Sequence, residues 1–193
     1  NLRSAKQAFV YKTDGKARVV EPEFTFYGFR YAWIEGLEEI VPEAFSGCVV
    51  YSDMQKTGEI ETSDPMVNRL FLNALWGQRG NFVDVPTDCP QRDERLGWTG
   101  DAQVFCGTAN FNMDASAFFA KYMADVWQEQ QARGGAVPHF VPSLGDGDNG
   151  AHSECSAAWG DAATVIPWTT YLFSGDKTML ERQYPAMKAW IDY

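Results

Sequence analysis

Near residue 62 the spacing of apolar residues changes, and no single regular element accommodates the spacings on both sides. Before it, apolar side chains alternate at Phe24 and Phe26 and again at Phe29, Tyr31 and Trp33. Short β-rich runs, Ala8 to Tyr11 and Cys48 to Tyr51, flank this pattern, and Asp14-Gly15 between two such runs is a hairpin signal. That spacing predicts the trailing portion of an antiparallel β-sandwich. Beyond it, Asp64 can cap a helix, Pro65 suits the first helical position, and Val67, Leu70, Phe71, Ala74 and Leu75 form one apolar face of about three turns.

Helical spacing then recurs. Phe119, Tyr122, Met123 and Val126 share a face, and Gly134-Gly135 closes that helix. Further helices are expected from Thr99 to Asn110, from Asp161 to Phe173 with a kink or break at Pro167, and from Lys177 onward with an interruption at Pro185. Between them lie two long irregular stretches, Phe82 to Trp98 and Ala136 to Ser156. Loops of that length inside a compact unit tend to be functional. The chain opens at Asn1 and closes on an unterminated helical pattern, which reads as an excised segment.

Charge narrows the choice of partner. Sixteen Lys plus Arg against 26 Asp plus Glu leave a net charge of -10, which repels phosphate backbones and anionic lipid. Neither nucleic acid nor a membrane is an expected partner, and no apolar run reaches the length of a membrane span. An aromatic share of 15%, with seven Trp, suits stacking on sugar rings as well as core filling. Cys48, Cys89, Cys106 and Cys155 lack the spacing of a metal site or a disulfide framework and are expected as free thiols.

The first long loop holds the chemistry. From Asp84 to Asp101 it carries five carboxylates, two arginines and Trp98, with Pro86, Pro90, Gly97 and Gly100 setting its path. Crowded carboxylates raise one another's pKa, which can keep one protonated for general acid work. Each residue also has a purely structural reading. Asp101 sits where a helix dipole favours a carboxylate, Asp88 can bond to its own loop backbone, and Arg92 or Arg95 can neutralise the cluster. Asp93 is expected to point away into such a pair, and Glu94 alone would pass for a solvated acid. Trp98, Trp159 and Trp168 can be core or subsite residues, and Trp127 fits the core. His139 and His152 read as solvated loop histidines rather than zinc ligands. The stretch from Asp146 through Asp148 and Asn149 lacks the twelfth-position Glu of a calcium loop, Ala157 standing there instead.

The run Asp88-Cys-Pro-Gln-Arg-Asp-Glu-Arg-Leu-Gly-Trp-Thr-Gly-Asp101-Ala-Gln103 resembles the signature of the bacterial and fungal α-L-rhamnosidases with an (α/α)6-barrel catalytic domain. Tyr27-Gly28-Phe29-Arg30-Tyr31 resembles that family's marker in the preceding β-sandwich. Ser63-Asp64 through Leu70 is similar to the entry to the first barrel helix, and Trp159-Gly160-Asp161, with Ile166-Pro167-Trp168, to a later one. The resemblance implies an α+β chain, with the C-terminal part of an antiparallel β-sandwich over residues 1–62 and the N-terminal portion of the barrel over 63–193. It further implies an inverting glycosidase acting on terminal α-L-rhamnosyl groups of glycosides or polysaccharides, without metal or organic cofactor. Glu94 would be the general acid. Asp88, Asp101 and Arg92 would contact the sugar, Trp98 would wall its pocket, and Trp159 is the next aromatic subsite candidate. No position matches the family's general base, so the missing half of the barrel is an expected partner and the isolated chain is expected to be inactive. A non-catalytic sugar-binding protein and a metal-dependent hydrolase using the aspartates are the competing classes.

Overall fold

A computed structural model describes residues 2–143 and 155–193. The second long loop therefore falls partly outside the described residues, as do His152 and the stretch from Asp146 to Gly150. Five helices dominate: α1 (Pro65–Asn81), α2 (Thr99–Asn112), α3 (Ser116–Ala132), α4 (Ala162–Ser174) and α5 (Thr178–Asp192). Among the described residues the only strands are β1 (Phe82–Val83) and β2 (Val85–Pro86), an antiparallel pair turning at Asp84.

Residues 2–62 do not form the strands that their alternation predicts. They follow an extended course with one short 3-10 turn at Pro42–Ala44 and a single antiparallel bridge between Lys56 and Met113. Strands need hydrogen-bonded partners and a cover for their apolar face. Residues 52–58 find backbone partners at Phe82, Asn112 and Asp114, but the apolar residues of the earlier stretch are left uncovered, and Phe24, Tyr31 and Trp33 stand in solvent.

The first helix begins as expected: Asp64 Oδ1 accepts from the Met66 amide at 2.8 Å, with Pro65 in the first position. It runs for 17 residues, well past three turns, because neither Gly77 nor Gly80 ends it. Its apolar stripe is covered only toward its C-terminal end. Leu75 and Gln78 are buried, whereas Val67 and Leu70 are exposed, and Phe71 finds only the edge of Phe111. A polar tether joins this end to α2: Asn112 Nδ2 donates to Gln78 Oε1 at 2.9 Å, and Gln78 Nε2 donates to the Ala109 carbonyl.

Helix α4 is the hub, packing on α2, α3 and α5. Small side chains let it approach α2 closely: Ala102, Cys106 and Ala109 are buried in one cluster with Ala162, Ala163 and Ile166. The Cys106 thiol donates to the Ile166 carbonyl across this seam, and burial pushes it up to about 11. Pro167 and Pro185 neither break nor end their helices, contrary to expectation. Each removes one backbone bond. The faces around them, with Ile166 and Thr170 in α4 and Gln183 and Ala186 in α5, stay buried, and that packing carries the helix through.

On α3 the expected face is the core: Phe119, Tyr122, Met123 and Val126 are fully buried, and Phe82 stacks on Phe118 at 4.4 Å. Gly134 and Gly135 end the helix with φ of 64° and 108°, in the left-handed region that suits glycine. Trp127, expected in the core, is only half-buried. All four cysteines are free. Truncating Phe119 to Ala should lower unfolding stability by about 3 to 5 kcal/mol, read from the shift of a denaturant melt.

Candidate active site

The acid loop leaves β2, closes on itself, and is clamped at both ends. At the neck, the Asp88 amide donates to the Leu96 carbonyl at 3.2 Å, and the Leu96 amide returns a bond to Asp88 Oδ1 at 3.1 Å. Asp88 therefore serves the loop backbone with one oxygen, as its structural reading anticipates. At the exit, the Gly97 carbonyl accepts from the Tyr122 hydroxyl at 2.7 Å and from the Val141 amide at 2.9 Å. A Cβ on Gly97 would lie 2.2 Å from the Val141 carbonyl oxygen, so only glycine fits. The Thr99 amide then donates to the His139 carbonyl at 2.8 Å as α2 begins.

Three of the residues singled out in the sequence meet on one cavity of about 660 Å³ between α1, the loop and α2: Asp88, Asp101 and Trp159. Trp159 lies flat against Gly100, whose hypothetical Cβ would sit 3.0 Å from the indole ring. Asp101, in the first turn of α2, has its carboxyl pushed above the usual aspartate range by partial burial at the cavity wall, and further by the Asp88 charge.

Glu94 and Arg92 are not among the residues that line the cavity, and they stand beside it through Asp88. Donor atoms of Asp88, Cys89 and Glu94 all lie within 4.8 Å of one another. Glu94 Oε2 pairs with Arg92 Nη2 at 2.5 Å and with Arg3 Nη1 at 3.0 Å. These two guanidinium groups already place positive charge on the cluster, which weakens its case as a cation site. Burial and the Asp88 carboxylate push the Cys89 thiol up, away from the reactive thiolate. The Nε of Arg92 is buried without a hydrogen-bond partner among the described residues. Trp98 turns the other way, meeting Phe140 edge-on at 5.3 Å, and does not line the cavity.

Several contributors escaped the sequence reading. Asp93 turns away as expected, yet its partner is Ser4, which bonds it through both amide and hydroxyl, rather than an arginine. Gln7 Nε2 donates to the Gln91 carbonyl at 2.5 Å, Gly28 packs where a Cβ would be 2.7 Å from that of Gln91, and Arg95 lies over the Phe26 ring. The N-terminal segment thus straps the acid loop. His139, read as solvated, is half-buried and bonded to Ser156 at 2.9 Å. Of the strapping residues in the N-terminal segment, Gly28 lay within the Tyr27-Gly28-Phe29 marker, whereas nothing in the sequence pointed to Ser4 or Gln7.

Residues 55–193 match the family model described as the bacterial alpha-L-rhamnosidase 6 hairpin glycosidase domain, and residues 1–51 match the bacterial alpha-L-rhamnosidase concanavalin-like domain. An alpha-L-rhamnosidase of Formosa agariphila is 43% identical over 99% of this chain and 20% of its own length. One of Streptomyces avermitilis is 41% identical over 100% of this chain and 18% of its own. The chain thus spans about a fifth of the length of these relatives. Among solved structures, native α-L-rhamnosidase from Aspergillus terreus aligns with TM-score 0.69 and 44% identity over 74% of this chain and 16% of that one. The Streptomyces avermitilis enzyme complexed with L-rhamnose aligns with TM-score 0.67 and 43% identity, over 74% and 13%.

The raised Asp101 carboxyl has a definite sign in stability. A carboxyl whose folded value exceeds its unfolded one contributes fully below the unfolded value, and the contribution is lost as pH rises through the folded value. Asp101→Asn should therefore match the parent at low pH and melt higher than it once pH passes through the aspartate range toward neutrality. Parallel thermal melts across that range check this, and a constant offset at all pH values would contradict it.

Proposed function

The chain belongs to the bacterial α-L-rhamnosidase family with a six-hairpin glycosidase domain, and on that premise we propose that it carries the acid half of an inverting α-L-rhamnosidase active site. The substrates are terminal α-L-rhamnosyl groups of glycosides or polysaccharides. Residues 1–62 are assigned to a β-sandwich and 63–193 to part of an (α/α)6 barrel. The concanavalin-like match over residues 1–51 and the alternation of apolar side chains support the first assignment.

The observation that carries the reading is the gathering of Asp88, Asp101 and Trp159 on one cavity, with Glu94 within 4.8 Å of Asp88 at its edge. In that arrangement Glu94 donates its proton to the departing glycosidic oxygen. Arrival of substrate displaces the exposed Arg3 from the carboxyl. Asp88 and Asp101 accept from sugar hydroxyls, Arg92 is a further sugar contact from beside the cavity, and Trp159 covers an apolar ring face. Trp98 supports the wall from behind through Phe140.

Spacing argues that the base is another residue. Inverting glycosidases hold their carboxyl groups about 6.5 to 9.5 Å apart to admit water. Asp88 and Glu94 approach within 4.8 Å, too close for that water, which argues against Asp88 as the base; the resemblance to the family, none of whose general-base motif matches here, assigns the activating carboxylate to a position outside these 193 residues. A metal-dependent hydrolysis would instead be abolished by a chelator, and the rhamnosidase reading expects full activity in its presence. The intact Glu94 weighs against a binding protein that has lost its acid.

In the intact protein, Glu94→Gln should retain rhamnose binding and lower turnover of a glycoside with a poor leaving group by at least about 100-fold, the scale of general acid catalysis. A dinitrophenyl rhamnoside, whose leaving group departs without a proton, should be largely spared. Equal losses on both substrates would give Glu94 another role.

A further inference from the structure

Trp159 is poorly held by its own segment. It lies just before α4, follows Ala158 at a φ of 73°, and remains 39% exposed. A side chain bearing Cβ is strained there, so the turn persists only where its surroundings hold it. Asp161 supplies one hold: Oδ2 accepts from the Ala158 amide at 2.9 Å, while Oδ1 accepts from Trp190 Nε1 at 3.0 Å. Both bonds fix the backbone of the turn. Neither touches the Trp159 ring, whose orientation decides what face the cavity presents.

Among the described residues, two neighbours bear on the ring. One is the backbone at Gly100, which it lies against. The other is His139, with centroids 5.5 Å apart and planes inclined at 60°. His139 is itself fixed at two further points. Its carbonyl accepts from both the amide and the hydroxyl of Thr99, at 2.8 and 2.9 Å, where α2 starts. Its Nε2 meets Ser156 Oγ at 2.9 Å, three residues before Trp159. One residue thus joins the start of α2 through its carbonyl and, through its imidazole, the segment leading to Trp159 and the indole itself.

We propose that His139, held by Ser156 and Thr99, is the positioning residue that sets Trp159 as the sugar-facing wall of the cavity. This rests on the reading of the cavity as the rhamnose site and adds a residue to it. His139 does not line the cavity and acts through the tryptophan. The hydrogen bond to Ser156 sets the tilt of the imidazole, and the imidazole stops the indole from swinging off Gly100. A tryptophan free to swing would lose part of its stacking on bound sugar to conformational entropy.

The test uses the intact protein and L-rhamnose as probe, with affinity from calorimetry and kcat and KM on an aryl α-L-rhamnoside. His139→Ala is expected to weaken L-rhamnose binding about five- to tenfold, the scale of one aromatic contact. KM should rise accordingly, with kcat falling less than the affinity. The decisive comparison is with Trp159→Ala: the double variant should bind no more weakly than Trp159→Ala alone, because the histidine acts only through the ring. Should His139→Ala not fold, Ser156→Ala and His139→Phe give the same comparison, removing the Nε2 bond while a ring remains. They should bind about two- to threefold more weakly, since only the tilt is released. Losses that multiply between positions 139 and 159 would overturn the proposal. So would an unchanged affinity in every position-139 and position-156 variant while Trp159→Ala weakens it. If Trp159→Ala itself leaves affinity unchanged, the tryptophan is no sugar wall and the positioning role falls with it. Failure of the unmodified protein to bind L-rhamnose would reject the functional reading at its base.

Discussion

The hydrogen bond from the buried Tyr122 hydroxyl to the Gly97 carbonyl is the hinge on which the site turns. Tyr122 is wholly enclosed by the α3 core, and a phenol there must find an acceptor or bear the cost of an unsatisfied polar group. It finds one in the acid loop. Burial also drives its ionisation far above the ordinary range, so it remains a neutral donor. Because the same carbonyl accepts from the Val141 amide, the loop, the core and the 139–141 segment are locked at one oxygen. The absence of a Cβ at Gly97 is what lets the three come together.

From that point the loop's geometry propagates outward. Helix α2 starts immediately after Gly97 and Trp98, which sets Asp101 on its first turn, toward the cavity. The Asp88–Leu96 pairing closes the neck, so the residues between them project as a compact lobe, with Glu94 and Arg92 paired at its side. Ser4, Gln7 and Gly28 then lie against the outer face of this lobe. A segment that matches a different domain model thereby bears on the carboxylate cluster, and Arg3 reaches Glu94 itself.

Several surfaces of the helical part are apolar and uncovered. Val104 on α2, Trp168 and Leu172 on α4, and Leu70 on α1 are all exposed. Helix α4 nevertheless continues through Pro167 without a break, because its other face is sealed against α2, α3 and α5. Local composition therefore predicted a break that packing prevents. The strands expected before residue 62 failed for the converse reason: their alternation is clear, but a strand is completed only by a neighbour.

What the sequence by itself determined was local and periodic. The capped start of α1, the buried face of α3, the glycine stop after it, and the presence of an acid loop with Asp88, Glu94 and Asp101 were legible because each depends on residues close in the chain. Which carboxylates share a cavity was not legible, nor that Asp88 spends an oxygen on Leu96, that Glu94 is held by Arg3 from 91 residues away, or that His139 abuts Trp159. Those relations join residues from separate elements. Spacing along a chain specifies which face a side chain occupies, but only the packing of α2 against α4, and of the loop upon Tyr122, decides which faces meet.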